Sequence, residues 1–173
     1  MIKVSWCVIL MTAISAAALG PAHSQGPERL TAVFQDWTAT CALPQSSGDK
    51  KICETSQART IQGHSDVALQ VVISLPSKDQ PPKLFFQVTP NVSLPAGIKL
   101  VYDEKVPGIE TTFRWCIQAR CLATADLTDA VIKALRARTE DARVEFKDAA
   151  EQEISQPVSF KGFGPALDWM QNQ

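Results

Sequence analysis

The segment "VALQVVISLPSKDQPPKLFFQVT" at residues 67–89 decides the fold class, because it has the pattern of two β-strands joined by a turn. Residues 67–75 are rich in β-branched side chains and almost continuously apolar, which is typical of a buried strand. Residues 76–82 combine prolines with polar side chains and predict a turn. Residues 83–89 then predict the next strand, so the centre of the chain is β-structure.

Strand patterns recur on both sides of this segment, at 33–41, 51–59, 97–104, 110–118, 120–124, 142–148 and 153–160. Inward and outward residues alternate most clearly around Ile98 and Leu100 and around Val144 and Phe146. Pro157 interrupts the last pattern, which predicts an edge strand because proline cannot donate to a sheet. Seven or eight short strands at near-regular spacing predict a β-sandwich.

One segment has a helical period instead. Its apolar residues recur at intervals of three and four and form one stripe, Leu127, Ala130, Val131, Ala134 and Leu135. We expect one packed α-helix over about residues 125–138, with Asp126 as its N-cap. The glycines of "KGFGPAL" predict a tight backbone turn, and the tail that follows predicts one or two further helical turns.

The first 24 residues predict a secretory signal peptide. Lys3 is followed by an apolar run from Ser5 to Gly20, and small residues precede a cleavage site after Ser24. The alternative is a retained membrane anchor, but the run is shorter than the roughly 20 residues that a spanning helix needs. The predicted organisation is a cleaved signal at 1–24, a flexible leader at 25–32 and a single β-sandwich domain at 33–173.

Cleavage would leave 149 of the 173 residues, with 16 of the 17 basic residues against 18 acidic ones, a net charge of −2. This balance gives no electrostatic reason to expect binding to nucleic acid or to an anionic membrane surface. No later stretch has the length and apolar character of a transmembrane segment. We therefore expect the mature protein to be soluble.

Four cysteines would remain after cleavage: Cys41, Cys53, Cys116 and Cys121. An even number in an exported chain predicts a disulfide framework. Three pairings are open, and the sequential one is favoured because each pair then closes a short local loop. The spacing does not fit zinc knuckles. A redox-active pair at 116 and 121 is the alternative, since Arg120 would favour a thiolate.

Few residues outside the cysteines could form a functional site. The mature chain has one histidine, His64, which we interpret as part of a surface turn, and no set of residues predicts a catalytic, metal or cofactor site. Trp37 and Trp115 lie near cysteines, so we expect them to pack on the disulfides, and we expect Trp169 in the core.

Several segments together resemble the invasion-associated locus B family, which consists of exported proteins of alphaproteobacteria. They are "FQDWTATC" at 34–41, Cys53, "PNVSLPAGIKLVYD" at 90–103, "CIQARCLA" at 116–123, the helical stripe and "SFKGFGPAL" at 159–167. The resemblance runs from Phe34 to Leu167. The family often has glycine where this chain has Gln35 and Arg120.

This resemblance implies an immunoglobulin-like β-sandwich with disulfides, in the periplasm or outer envelope, and a link to host-cell invasion and virulence. It carries over no catalytic residue or cofactor. The resulting hypothesis is a non-enzymatic protein that binds an unidentified protein partner in the envelope or on the host cell, supporting invasion or envelope integrity. The expected location is the periplasm, with outer-membrane association or secretion as alternatives.

Two further hypotheses stay open: a periplasmic thiol-disulfide oxidoreductase that uses Cys116 and Cys121, and an assembly chaperone that offers a sheet edge to a client strand. If the protein acts by binding, the loops at 74–82 and 102–110 are the candidate contact surfaces, because function concentrates on loops held by a rigid frame.

Overall fold

The computed structural model describes residues 29–43, 51–61, 64–76 and 80–173, with residues 61 and 64–67 described by their backbone alone. The predicted signal peptide lies outside the described residues, as does the side chain of His64. The elements, in chain order, are β1 (Arg29–Phe34), β2 (Trp37–Ala42), β3 (Ile52–Ile61), β4 (His64–Leu75), β5 (Lys83–Val88), β6 (Ile98–Val101), β7 (Ile109–Thr111), β8 (Phe113–Ile117), β9 (Arg120–Asp126), α1 (Asp129–Arg136), β10 (Ala142–Lys147), β11 (Glu153–Val158) and α2 (Phe163–Gln171).

The strands form two antiparallel sheets. The larger has seven strands in the order β1-β2-β3-β4-β5-β9-β8, and the smaller has four in the order β11-β10-β6-β7. The segment at 67–89 supplies most of β4 and all of β5, in the interior of the larger sheet. Pro157 lies on β11, an edge strand as predicted. The predicted mainly β, sandwich-like fold is confirmed.

One hydrophobic core joins the two sheets and both helices. Alternate side chains of the larger sheet point into it, including Ile73 and Phe86, and Leu100 and Val144 enter it from the smaller sheet. All four are fully buried. This period of two is the physical reason that the strands alternate between buried and exposed positions.

Residues far apart in the sequence meet where α2 packs on β1, β2 and β3. The ring centroid of Trp37 lies 5.4 Å from that of Phe160 and 5.3 Å from that of Phe163. The Trp37 indole Nε1 donates a 2.8 Å hydrogen bond to the carbonyl oxygen of Ser159. The "FQDWTATC" and "SFKGFGPAL" segments therefore form one packed junction.

The helix prediction was partly wrong. Asp126 is the last residue of β9 and pairs with Lys83 at 2.6 Å, so it does not cap α1. The helix begins later, at Asp129, and the Oγ1 of Thr128 accepts the cap hydrogen bond from the backbone N–H of Val131 at 3.3 Å. In the tail, where one or two helical turns were predicted, a second helix, α2, spans Phe163–Gln171.

Two other predictions need correction. The segment from Arg29 to Thr31 belongs to β1 and pairs with β2, so the predicted leader at 25–32 ends in ordered sheet. The expected packing of Trp115 on a disulfide was wrong, because 51% of that residue is exposed. Trp37 packs against phenylalanines, and Trp169 is half-buried beside the ring of Phe34 at 6.2 Å.

Candidate functional site

The four cysteines form two disulfides, Cys41–Cys53 and Cys116–Cys121. Both bonds join residues that are direct cross-strand partners, the first between β2 and β3 and the second between β8 and β9. This is the sequential pairing. Each bond therefore fixes the register of two neighbouring strands.

The two disulfides differ in their access to solvent. Cys41 and Cys53 are buried, at 1% and 6% exposure, and Cys121 is also buried at 2%. Cys116, in contrast, is exposed at the edge of the larger sheet. An external thiolate can therefore reach the second disulfide more readily than the first.

The β8–β9 hairpin carries an apolar surface at its tip. Its two-residue turn follows Ile117, and every residue from 114 to 120 is exposed. Trp115 and Ile117 are 51% and 54% exposed, and their alternation around Cys116 places both side chains on the same face of the strand. Large apolar groups grouped at one exposed place indicate a contact surface.

Positive charge surrounds these apolar side chains. Arg114 and Arg120 are exposed, and residues 113–122 contain no aspartate or glutamate. The Arg120 guanidinium donates a hydrogen bond to the Oε1 of Gln87 on the neighbouring strand β5. This bond fixes the position of the Arg120 side chain. We refer to Arg114, Trp115, Ile117 and Arg120 as the hairpin surface.

A groove of about 770 Å³ lies where the β4–β5 connection approaches the two helices. Its apolar lining includes Leu75, Pro81, Pro82, Ile132, Leu167 and Met170. Lys51 also lines it and donates from its Nζ to the carbonyl oxygen of Gln173 at 3.3 Å. The first predicted contact loop, at 74–82, contributes to this groove, although residues 77–79 lie outside the described part.

The second predicted contact loop, at 102–110, joins strands of the smaller sheet, so the two loops belong to different sheets. Beside it, the Lys99 amine lies 2.9 Å from the Glu110 carboxylate. The hydrogen bond and charge of Glu110 raise the pKa of Lys99. The hydrogen bonds that Arg143 donates to the carboxylates of Glu104 and then Glu145 likewise raise the pKa of its guanidinium.

Within the described residues, no group of three His, Cys, Asp or Glu side chains could hold a metal ion, and no helix has the length and apolar character needed to cross a membrane. What the surface does present is an apolar hairpin tip, an apolar groove and a network of exposed ion pairs. These features are suited to binding.

Sequence reasoning missed the hairpin surface because it assigned Trp115 to disulfide packing. The sequence did contain a signal for it. Two cysteines separated by four residues predict a short hairpin, and Arg114 and Arg120 lie on either side of the alternating apolar residues of this segment. The groove gave no such signal, since its lining comes from distant segments that the fold brings together.

Comparison with known proteins agrees with the sequence resemblance. The family model described as "Invasion associated locus B (IalB) protein" matches residues 37–171. Invasion protein B homologs from Brucella abortus (strain 2308) and from Brucella abortus biovar 1 (strain 9-941) are each 29% identical over 165 residues. Each alignment covers 92% of this chain and 90% of the relative.

The fold also matches a solved structure, the crystal structure of invasion associated protein B from Bartonella henselae. The TM-score is 0.64 at 22% identity, and the match covers 83% of this chain and 95% of the other. At this identity the likeness supports the fold alone.

Proposed function

The chain belongs to the invasion-associated locus B family, and from this premise we propose that it is an exported envelope protein that acts by binding and supports host-cell invasion or envelope integrity in an alphaproteobacterium. In this proposal residues 1–24 are removed as a signal peptide, and residues 29–173, from the start of β1, work as one β-sandwich domain in the periplasm. The partner is a protein of the envelope or of the host cell.

The disulfides carry the proposal. Two bonds between paired strands need an oxidising compartment to form and persist, and the bacterial periplasm is such a compartment. One of these bonds is buried in the core, so it is part of the folded structure. A chain built in this way fits export, and the predicted signal peptide would provide the route.

Binding, rather than catalysis, is the activity that the surface supports best. The larger sheet holds the hairpin surface on a frame fixed by hydrogen bonds and a disulfide. Rigid frames of this kind lower the entropy that a contact surface loses on binding. The relatives are named as invasion proteins, which is consistent with a role in contact with other cells.

The test is protease accessibility in intact cells, with a known periplasmic protein as the control. Digestion without permeabilisation of the outer membrane would place the protein on the surface and favour direct host contact. Protection until the membrane is opened would place it in the periplasm. Recovery in the cytoplasm with reduced cysteines would contradict the proposal.

A deletion strain would then separate the two roles. Increased detergent sensitivity together with reduced host-cell entry would assign the invasion defect to a weakened envelope. Reduced entry with normal detergent resistance would assign a direct role. If neither property changes, the proposed role is wrong.

The exposure of Cys116 supports a second candidate, a thiol-disulfide oxidoreductase. Its reduction potential would decide, because structural disulfides lie below about −300 mV whereas disulfide oxidoreductases lie between roughly −270 and −120 mV. A value for Cys116–Cys121 in the second range, together with disulfide exchange on a reduced test protein, would favour the enzyme.

A further inference from the structure

The hairpin surface combines two chemical properties, exposed apolar area and positive charge, at the edge of the larger sheet. Trp115 and Ile117 present apolar area on one face. Arg114 and Arg120 add two positive charges that no acidic residue between 113 and 122 offsets. A ligand that complements this surface must offer negative charge and an apolar layer side by side.

The edge strand is poorly suited to pairing with another strand. The register of β8 with β9 shifts between Phe113 and Trp115, which leaves Arg114 outside the regular ladder. Only Trp115 to Ile117 continues in regular pairing before the turn. Bulges and short edges are the devices by which proteins avoid strand addition, so the side chains are the stronger binding feature.

A second copy of the chain is also a poor occupant. Association of two hairpin surfaces face to face would bring Arg114 and Arg120 of both copies into one interface, with no carboxylate between residues 113 and 122 to neutralise them. Asp126, further along β9, already pairs with Lys83 at 2.6 Å. Like charges placed opposite each other oppose the association.

We propose that the hairpin surface docks on an anionic phospholipid bilayer. Tryptophan prefers the boundary between headgroups and acyl chains, and Ile117 can bury its side chain beside it. The arginines contact lipid phosphates with planar, multiple N–H donors. This inference goes beyond the proposed function, because binding to vesicles is a property of the purified protein and does not depend on any role in invasion.

The net charge of the whole chain does not oppose this docking. Salt screens charges beyond about 10 Å at 0.1 M ionic strength, so a membrane responds to the charges nearest to it. Each arginine near an anionic surface is expected to strengthen binding roughly fivefold. With two arginines and two apolar side chains, docking should be weak and reversible.

Vesicle sedimentation tests the proposal with the processed protein purified from cells that export it. Vesicles of equimolar phosphatidylcholine and phosphatidylglycerol are compared with vesicles of phosphatidylcholine alone, at low and high salt. We expect binding to the anionic vesicles that weakens at high salt, and at least about tenfold less binding to neutral vesicles. Equal binding to both kinds of vesicle would overturn the proposal.

Two variants and a matched control locate the surface. Arg114→Gln with Arg120→Gln should reduce binding more than tenfold, and Trp115→Ala with Ile117→Ser should abolish quenching of tryptophan fluorescence by brominated lipid. The control is Arg29→Gln with Val33→Ser, which also removes charge and apolar area from an exposed edge strand, β1. It should bind as the unmodified protein does, and circular dichroism should show all of them folded.

Two sets of results would overturn the proposal of lipid docking. Binding that is unchanged in both hairpin variants, or lost equally in the control, would overturn the assignment. If no vesicle binds but an acidic, strand-forming peptide shifts the amide signals of β8 in an NMR spectrum, the surface serves a protein partner and the lipid proposal is wrong.

Discussion

Gly162, which precedes α2, packs directly against the backbone at the end of β1. Its φ of 87° lies in the left-handed region, and a Cβ at this position would lie 2.0 Å from the carbonyl oxygen of Phe34. Both facts require glycine. Because Phe160 and Phe163 stand on either side of it and pack on Trp37, the backbone at Gly162 sets the position of the aromatic core.

Gly162→Ala should therefore lower the free energy of unfolding by at least about 2 kcal/mol, since strain and a steric clash add together. Gly164→Ala is the matched control, because its Cβ would meet nothing closer than the Arg136 Nε at 4.0 Å. In the helix this control should be neutral or stabilising by up to about 1 kcal/mol. Urea denaturation measures both. Similar losses in the two variants would contradict the role given to Gly162.

Gln35 shows the opposite situation, a non-glycine residue at a φ of 53° in the two-residue turn between β1 and β2. Gln35→Gly should raise the free energy of unfolding by about 1 kcal/mol, because glycine adopts this backbone conformation without strain. Gln35→Ala should give no such gain, since alanine keeps the Cβ. Melting temperatures of the three proteins provide the check, and a lower value for Gln35→Gly would refute this account of the turn.

At the scale of elements, the two disulfides hold strands together but should differ in reactivity. A mild thiol reductant should open Cys116–Cys121 well before Cys41–Cys53, because Cys116 is exposed whereas the other three cysteines are buried. Alkylation followed by mass spectrometry identifies the order of opening. Simultaneous opening of both bonds would show that global unfolding, and not local exposure, limits the reaction.

The cross-strand charges of the smaller sheet allow a test of pH dependence. Lys99 on β6 lies directly between Glu110 on β7 and Glu145 on β10. Lys99→Gln should lower the melting temperature slightly, because the two carboxylates then flank a neutral side chain, and high salt should remove the difference. Lys105→Gln, at an exposed lysine of the neighbouring loop, should have no effect.

The sign of the pH effect follows from the direction of the pKa shift. Folding raises the pKa of Lys99 above its ordinary value of 10.5. Its stabilising contribution is therefore fully present below about that pH and is lost as the pH rises through the raised folded-state pKa. The difference in melting temperature between the wild type and Lys99→Gln should stay constant from neutral pH to near 10.5 and shrink above it. A difference that grows at high pH would contradict this assignment.

Local patterns explain which elements could be predicted. Val71 and Phe86 stand in apolar or alternating runs that only a strand buries efficiently, so their strands were identifiable from sequence. The start of α1 was not, because Asp126 satisfies the local pattern of a helix cap, whereas in the structure it ends β9 and pairs with Lys83 on the neighbouring strand. The exposure of Trp115 also depends on strand order, since β8 lies at the edge of the sheet. Local sequence does not encode that order.

At the scale of the whole molecule, both disulfides lie in the larger sheet and one core joins the two sheets. The loop closed by Cys41–Cys53, with a sequence separation of 12, stabilises by about 3 kcal/mol on the chain-entropy model, and the shorter loop by about 2 kcal/mol. Domains of this size have a total stability of only about 5–15 kcal/mol. The stability of the fold therefore depends on the compartment in which the chain folds, because both disulfides must form before the protein reaches its full stability.

This link predicts different products for the full chain and for a variant without residues 1–24 when each is expressed in the same bacterium. The full chain should be recovered with Gln25 as its first residue and no free thiol, and it should melt in one transition. The variant should stay in the cytoplasm with four free thiols and melt at a clearly lower temperature. N-terminal sequencing, thiol titration and calorimetry measure these three properties. A full chain that keeps its first 24 residues would refute the predicted cleavage, and a reduced variant of equal stability would refute the structural role of the disulfides.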